Sequence, residues 1–144
     1  MSLFARDFDA VEPGERFATE GRTVGEADIA QFAALTGDTH PQHTDPAWAA
    51  ESRFGEQIAH GLLVLSYAVG LLELDPERVV ALRSVRDAVF KRPVKIGDVI
   101  RADTRTIGTQ QVDGGHELVD VRLRIVNQDD QLVLRAGLEL LCRA

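Results

Sequence analysis

The chain has 144 residues, of which 27% are charged and 44% hydrophobic, and its formal net charge is −7. These values fit one globular domain over residues 1–144. The excess of acidic residues disfavours a nucleic-acid partner, because neutralising phosphates requires a basic face. Residues 1–9 lack the continuous apolar segment of a secretory signal, so we expect a cytoplasmic protein. The single cysteine, Cys142, provides neither an intramolecular disulfide nor a metal motif.

The first quarter of the chain predicts a short strand followed by a helix. Residues 16–20 alternate weakly between apolar and polar side chains, as in a strand. Thr23 and Glu26 have the spacing of a capping box, which marks a helix start. Gly37 stands where the C-cap of that helix is expected, so Asp38 should begin a loop.

Two further helices are predicted before the midpoint. Asp45 and Pro46 suit the N-cap and the first position of a short helix over residues 46–52. Residues 58–72 form a longer helix that is apolar on nearly every side, and such a helix must be buried. Because it is shorter than the roughly 18 apolar residues of a membrane span, we expect the protein itself to surround it and no membrane partner.

The second half of the chain has the alternation of strands. Residues 79–82 and 85–90 can form two extended segments, and three longer alternating runs follow. A polar turn at residues 127–130 predicts a hairpin between the last two runs, which are residues 119–125 and 134–143. Helices followed by an antiparallel meander indicate an α+β protein. The economical arrangement is a curved antiparallel β-sheet wrapped around the central apolar helix.

Residues 36–43, T-G-D-T-H-P-Q-H, bring a carboxylate and imidazoles together on a segment punctuated by Gly and Pro. We expect Asp38 and His43 to lie on a loop and to contribute no core volume. The central helix should begin near Gly61, where unpaired backbone N–H groups can bind a carbonyl oxygen that acquires negative charge. Gly61 should let a ligand approach without meeting a side chain. A carboxylate, an imidazole and a helix N-terminus together supply groups for proton transfer and for the stabilisation of an oxyanion.

These residues resemble the MaoC-like dehydratases and (R)-specific enoyl-CoA hydratases of the hot-dog fold. The family motif, approximately S/T-G-D-x-N-P-x-H, matches residues 36–43, and a later A-H-G matches residues 59–61. The likeness extends through residues 90–98 to the final strands.

The resemblance implies a hydro-lyase that adds water to a trans-2-enoyl thioester or dehydrates an (R)-3-hydroxyacyl thioester. It implies that Asp38 and His43 hold one water between them and that the Gly61 N–H polarises the thioester carbonyl. The implied substrate is carried by coenzyme A or by acyl carrier protein, and no cofactor is expected. The implied assembly is a homodimer, or a dimer of dimers or trimer of dimers.

The sequence departs from the family at two positions. His40 stands where the family has Asn, and Val69 stands about where characterised hydratases have a serine that supports the site; Ser66 lies one helical turn earlier. The side chain of Val69 could shape an acyl pocket but cannot donate a hydrogen bond. His40 should hold the loop, because imidazole offers a donor and an acceptor as Asn does. We therefore take His40, Ser66 and Val69 as candidate substrate-binding residues.

Several alternatives stay open at this point. His60 is a candidate for substrate binding, but a histidine beside a helix terminus more often satisfies local backbone groups. Lys91 and Arg92, with Lys95, can bind carrier phosphates or form a solvated face. A metal site at Asp38, His40, His43 and Asp45 lacks a recognised spacing, and no metal is expected. Competing functions are a hot-dog acyl-CoA thioesterase and a non-catalytic subunit of a heteromeric dehydratase; the Asp38/His43 pair favours the hydratase.

Overall fold

The computed structural model describes Gly14 and residues 16–144; residues 1–13, on which the expectation about a secretory signal depends, lie outside the described part. Its described strands form a six-stranded antiparallel sheet in the order β1-β4-β5-β6-β3, and β2 pairs with β4. The strands are β1 (Arg16–Ala18), β2 (Arg22–Thr23), β3 (Val79–Phe90), β4 (Val99–Val112), β5 (His116–Val126) and β6 (Leu132–Arg143). The predicted hairpin between the last two strands is confirmed, since the Asn127 Oδ1 accepts the N–H groups of Asp129 (3.0 Å) and Gln131 (3.1 Å).

Four helices lie between the first strands and the meander. They are α1 (Glu26–Thr36), α2 (Pro41–Thr44), α3 (Pro46–Ala50) and α4 (Gly61–Leu71). The predicted cap of α3 is confirmed, because Asp45 Oδ1 accepts the N–H groups of Ala47 (3.0 Å) and Trp48 (3.2 Å). Gly37 has a left-handed conformation, φ 79°, at the end of α1, as the sequence predicts.

The core lies between α4 and one face of the sheet. Alternate residues of β5 and β6 point to this face and are fully or almost fully buried, among them Val121, Leu123, Leu138 and Leu140. The intervening side chains of β5 and β6, such as Arg122 and Arg135, point to the other face. The predicted α+β arrangement, an antiparallel sheet packed around the apolar helix, is confirmed.

The predicted capping box at the start of α1 is wrong. The N-cap is Gly25, and Asp28 Oδ2 accepts the Gly25 N–H at 2.7 Å. Thr23 lies at the end of β2, where the strand fixes its backbone in an extended conformation. Asp28 can serve as the cap because it is the third residue of the helix and because the Tyr67 hydroxyl donates to its other oxygen at 2.7 Å.

The two extended segments predicted over residues 79–90 are one strand, β3. Its pairing with β6 shifts register three times, and Asp87 adopts a positive φ of 50° beside the last shift. These irregularities break the alternation, so the sequence pattern divides a strand that the backbone keeps whole.

The expectation that α4 is buried on nearly every side is wrong for one face. Leu63, Val64 and Ala68 are buried against the sheet, but Leu62 is 62% exposed and Ser66 is exposed too. A sheet covers one side of a helix, so a helix that is apolar all round leaves apolar surface uncovered in a single chain. Among the described residues, no helix is long and apolar enough to cross a bilayer.

Candidate active site

Asp38 follows the C-cap of α1, and its backbone is held from both sides. The Asp38 N–H donates to Thr36 Oγ1 at 3.2 Å, and Thr36 in turn donates to the Phe32 carbonyl within the helix at 2.7 Å. The Asp38 carbonyl accepts a hydrogen bond from His60 Nε2 at 2.9 Å. The carboxylate is therefore carried by a fixed backbone while the residue itself stays exposed.

His43 is buried, with 5% of its surface exposed, and belongs to α2. The prediction that it lies on a loop and adds no core volume is wrong. Its Nδ1 lies 2.7 Å from the Ile58 carbonyl oxygen, and since a carbonyl only accepts, Nδ1 carries the proton. In the neutral ring, Nε2 is then the acceptor, and the side-chain amide of Gln42 donates a hydrogen bond to it with 3.3 Å between the two nitrogens.

Burial also sets the acidity of His43. Loss of solvent is the main cause that lowers the pKa of this imidazole below its usual value, and the charge of nearby His60 acts in the same direction. The hydrogen bond to the Ile58 carbonyl and the charge of Asp38 oppose the shift. His43 is therefore kept in the neutral form, which can accept a proton.

His60 connects the two halves of the site. It is the N-cap residue of α4, is 2% exposed, and its ring stacks on the His43 ring with 3.8 Å between centroids. The Phe32 ring also packs against the His60 ring, with 4.8 Å between the ring centroids. Its Nε2–H donates to the Asp38 carbonyl, so the ring contacts the backbone of one candidate catalytic residue and the side chain of the other.

Gly61 opens α4, so its N–H has no acceptor within the helix. The expectation that a ligand meets no side chain here is wrong, because a Cβ added to Gly61 would overlap the Phe90 ring. Glycine at this position lets Phe90 of β3 pack directly on the helix terminus. Phe90 and Gly61 both line the cavity described next, so the ring forms part of its wall.

These residues surround a cavity of about 470 Å³. Asp38, His43, His60 and Gly61 line it, together with apolar side chains such as Val64 and Leu134. Three cations, Arg53, Lys91 and Arg92, also line it. No ion pair involves any of the three within the described part of the chain, so they can bind an anionic group at the cavity.

One ligand atom from each of Asp38, His43 and His60 lies within 4.8 Å of the others. A carboxylate oxygen and an imidazole nitrogen at this separation can share one water, since each would be about 2.8 Å from its oxygen. A carboxylate with two imidazoles could also hold a divalent cation. The metal set considered from the sequence does not converge, because His40 Nδ1 accepts the Gln42 N–H and Asp45 caps α3.

Three of the predicted substrate-binding residues do not line the cavity. His40 is the N-cap of α2 and packs edge-on against Trp48 with 5.3 Å between ring centroids, as expected of a residue that holds the loop. Ser66 Oγ donates to the Leu62 carbonyl at 2.8 Å, and Val69 packs against the core. Lys95 pairs with Glu56 at 3.5 Å. Of the predicted set, the cavity brings together Asp38, His43, His60, Gly61, Lys91 and Arg92.

Sequence reasoning missed Arg53, Gln42 and Phe90 as cavity residues. Gln42 stands inside the 36–43 motif at a position that the family pattern leaves open, so the motif gives no signal for it. Arg53 is an isolated cation after α3, and its place beside Lys91 and Arg92 depends on the tertiary fold. Phe90 could have been found, since it ends an apolar strand directly before the cationic pair.

An antiparallel sheet packed around an apolar helix, with polar residues gathered at the N-terminus of the helix, defines the class of this protein as a hot-dog fold. The same fold occurs in a double hot-dog protein from Mycobacterium tuberculosis, with a TM-score of 0.84 and 24% identity over 95% of this chain and 44% of that one.

Comparison with known proteins identifies the family. Residues 8–128 match the model of the MaoC-like domain, so the chain belongs to the MaoC-like family of hydratases and dehydratases. Protein MaoC of Klebsiella aerogenes is 40% identical over 99 residues, which are 68% of this chain and only 30% of that protein. The (R)-specific enoyl-CoA hydratase of Aeromonas caviae is 33% identical over 102 residues, or 71% of this chain and 75% of the hydratase.

A solved structure of nearly the same extent is similar throughout. The monoamine oxidase regulatory protein from Archaeoglobus fulgius is 38% identical, with a TM-score of 0.89 over 95% of this chain and 94% of that one. The resemblance predicted from the two sequence motifs is thereby confirmed at the level of the family and the fold.

Proposed function

We propose that this protein hydrates trans-2-enoyl thioesters to (R)-3-hydroxyacyl thioesters, and catalyses the reverse dehydration, with Asp38 and His43 as the catalytic pair. The observation that carries the proposal is the His43 tautomer. Its Nδ1–H is held by the Ile58 carbonyl at 2.7 Å, which leaves Nε2 as the basic nitrogen of a residue that lines the cavity, and one ring nitrogen of His43 lies within 4.8 Å of a carboxylate oxygen of Asp38. The relatives named (R)-specific enoyl-CoA hydratase and 3-hydroxybutyryl-CoA dehydratase support the same reaction.

The proposed reaction uses one water held between the two side chains. His43 Nε2 takes a proton from the water as its oxygen attacks the β-carbon, and the Asp38 carboxylate accepts a hydrogen bond from the second O–H. The imidazolium then returns the proton to the α-carbon, which completes the addition of water without a net change in either residue. A general acid–base group such as His43 contributes roughly 10²–10⁴-fold.

The N–H of Gly61 stabilises the enolate oxygen that forms on the thioester. An oxyanion donor of this type contributes about 3 kcal/mol. The thioester carbonyl must enter beside the Phe90 ring, and the acyl chain extends along the apolar wall near Val64 and Leu134. A cavity of about 470 Å³ suits a short or medium acyl chain. Arg53, Lys91 and Arg92 bind phosphates of the carrier at the entrance.

The proposal includes a homodimer. Leu82, Val85 and Phe90 of β3 pair with Leu140, Leu138 and Leu134, which point into the core, yet all three are at least 41% exposed. These three side chains extend the apolar face of the sheet past the part that α4 covers. Leu62 of α4 is also exposed and lines the cavity. We call these four residues the apolar strip. β3 is also an edge strand with unpaired backbone groups. A second copy that covers this apolar strip also closes the open side of the cavity.

The test is the loss of enoyl absorbance when purified protein meets trans-2-enoyl-CoA substrates of graded chain length. Release of free thiol is followed in the same reactions, and the configuration of the product is determined on a chiral column. We expect loss of the enoyl signal, an (R)-3-hydroxyacyl product and no free thiol. Thiol release without hydration would overturn the proposal in favour of a thioesterase, and no reaction with any substrate would favour a non-catalytic subunit.

A further inference from the structure

The outer face of the sheet, opposite the core, carries a concentrated set of arginines. Cross-strand partners place Arg16 beside Arg105, Arg105 beside Arg122, and Arg124 beside Arg135. One row thus runs across β1, β4 and β5, and the second pair lies next to it. All five are exposed. We call these five residues the arginine band.

In the part of the chain that the structure describes, the band has more arginines than neighbouring carboxylates. Asp103 is the cross-strand partner of Arg124, and Asp87 and Asp120 line the same hollow as Arg122. None of the band's five members forms an ion pair within that part of the chain. Two of these carboxylates pair with arginines outside the band, Asp120 with Arg86 at 2.6 Å and Asp103 with Arg101 at 3.8 Å. The chain as a whole has a net charge of −7, so a general excess of basic residues does not explain the cluster.

Like charges on directly opposed strand positions destabilise a sheet. The band contains three such pairs and therefore weakens the fold unless an anion neutralises it. An arrangement that costs stability in the free protein, and gains it when an anion binds, is typical of a binding surface rather than of a structural one.

The surface of the band is concave at two adjacent places. Gly137 lies between Arg122 and Arg86 in the sheet and lines a hollow of about 480 Å³, together with Arg124 and Arg135 and the carboxylates of Asp87 and Asp120. A second hollow of about 510 Å³ is lined by Arg16 and Arg105 and again by Arg122 and Arg124. Two hollows that share two arginines suit a ligand with more than one anionic group.

We propose that the arginine band binds a polyphosphate group. The planar guanidinium fork matches phosphate oxygens in a bidentate manner, which favours arginine over lysine at such sites. The band extends about 14 Å over the four strands β1, β4, β5 and β6, so several linked phosphates can contact it at once. The exposed side chain of Ile107 lies at the edge of the first hollow and offers apolar surface to a nucleoside attached to the phosphates. The site is separate from the enoyl thioester cavity, which lies on the core side of the sheet.

The test is thermal unfolding with inorganic tripolyphosphate, with a nucleoside triphosphate and with orthophosphate, all at the same low ionic strength. We expect both polyphosphates to raise Tm by several degrees and orthophosphate to have little effect. A larger effect of the nucleotide would identify the source as a nucleotide, and equal effects would identify free polyphosphate. No increase with either polyphosphate would overturn the proposal, and an increase with poly-glutamate instead would assign the band to an acidic protein.

Two matched variants locate the binding site. Arg122→Gln with Arg124→Gln should abolish the increase in Tm, whereas Arg53→Gln with Arg92→Gln, which removes the same charge at the cavity, should retain it. The proposal would be overturned if the increase in Tm persisted in the Arg122→Gln, Arg124→Gln variant and was lost in the Arg53→Gln, Arg92→Gln variant. Without ligand, the band variant should be at least as stable as the wild type, because repulsion is removed; Arg135→Gln alone gives the same test if the double variant does not fold. The hydration rate of the band variant should be unchanged, whatever the outcome for the proposed reaction.

Discussion

His43 combines burial with a ring nitrogen, Nε2, that carries no proton in the neutral ring and accepts a hydrogen bond from Gln42. Burial and the neighbouring His60 lower its pKa, and this shift keeps the ring neutral in mild acid. A base whose pKa is lowered keeps its activity as the pH falls past the usual histidine value and loses it only below that value. The acid limb of the pH–rate profile is therefore a direct readout of the environment of His43.

The predicted acid limb of kcat/KM lies below pH ~6.5, the ordinary value for histidine. The measurement is the rate of trans-2-enoyl-CoA hydration from mildly acidic to neutral pH at a constant ionic strength. His40→Asn tests the same environment: His40 is exposed and caps α2, but its charge also lowers the pKa of His43, so its removal should move the acid limb to higher pH. An acid limb at or above pH ~6.5 in the wild type would show that burial does not determine the pKa of His43.

His60 should act as a positioning residue for both members of the pair. His60→Phe keeps a ring against His43 but removes the donor to the Asp38 carbonyl, and a catalytic group displaced by about 1 Å can lose roughly 10²-fold in rate. His60→Gln removes the ring, and with it the burial and the charge that lower the pKa of His43. We expect kcat to fall in both variants. The acid limb should move to higher pH in both, because both lose the charge of His60, and it should move further in His60→Gln, which also loses the ring that buries His43. Acid limbs at the same pH in the two variants would contradict the role of the stacked ring.

For individual residues, the sequence predicts which chemical groups form the site but not the contacts that hold them in place. Asp38, His43 and Gly61 belong to short motifs whose spacing is visible in the chain. The bond from His60 to Asp38 joins residues 22 positions apart, and that from His43 to Ile58 joins residues 15 apart. Such contacts depend on how the segments pack, so no local pattern indicates them.

Among the elements, α1 shows how the tertiary fold selects a cap. Asp28 accepts hydrogen bonds from the Gly25 N–H and the Tyr67 hydroxyl, and Arg22 lies 3.7 Å away. The Tyr67 hydrogen bond is the main cause that lowers the pKa of Asp28, followed by the Gly25 hydrogen bond. The local sequence offers Thr23 and Glu26 as an equally good capping box, and only the contact with α4 distinguishes the two.

Asp28→Ala should lower the free energy of unfolding by about 1–2 kcal/mol, the usual cost of a lost cap, while Thr23→Ala should change it by less than about 0.5 kcal/mol. Denaturant unfolding at neutral pH measures both. A depressed carboxyl pKa stabilises the fold above the unfolded value and loses that effect as the pH falls through the folded value. The difference between Asp28→Ala and wild type should therefore shrink below pH ~3.8. A larger loss in Thr23→Ala would restore the capping box predicted from the sequence.

The sequence predicts β4, β5 and β6 better than β3, and the reason is physical. β4, β5 and β6 have one face in the core and one in solvent, so their apolar and polar residues alternate. β3 is an edge strand with exposed apolar residues and three register shifts, and its pattern reflects a surface that a single chain does not bury.

For the whole molecule, the exposed strip on β3 and α4 bears on assembly. Leu82→Glu should disrupt the proposed dimer, because it places a charge on the apolar surface that the second copy would cover. Leu35→Glu is the matched control, since Leu35 is 83% exposed on α1. Light scattering at assay concentration should give a dimer for wild type and Leu35→Glu and a monomer with reduced hydration for Leu82→Glu. A fully active monomer would contradict the claim that a second copy completes the cavity.

The architecture as a whole could be predicted because the apolar helix and the alternating strands each need the other to be buried. The amount of apolar surface left over could not be predicted, since the sequence does not tell which side of α4 the sheet covers. In the proposed dimer, that remaining surface, with Leu62 at the cavity, would connect assembly to activity.

The measurement that tests the central claim most directly is the initial rate of trans-2-butenoyl-CoA hydration by the wild type, Asp38→Asn and His43→Gln, with His40→Asn as control. Circular dichroism and Tm establish that each variant is folded, which matters most for His43 because it is buried. We predict that Asp38→Asn and His43→Gln each lose at least about 10²-fold in kcat, while His40→Asn retains most of its activity. A folded Asp38→Asn or His43→Gln variant with at least half of the wild-type rate would contradict the assignment of these residues as the catalytic pair.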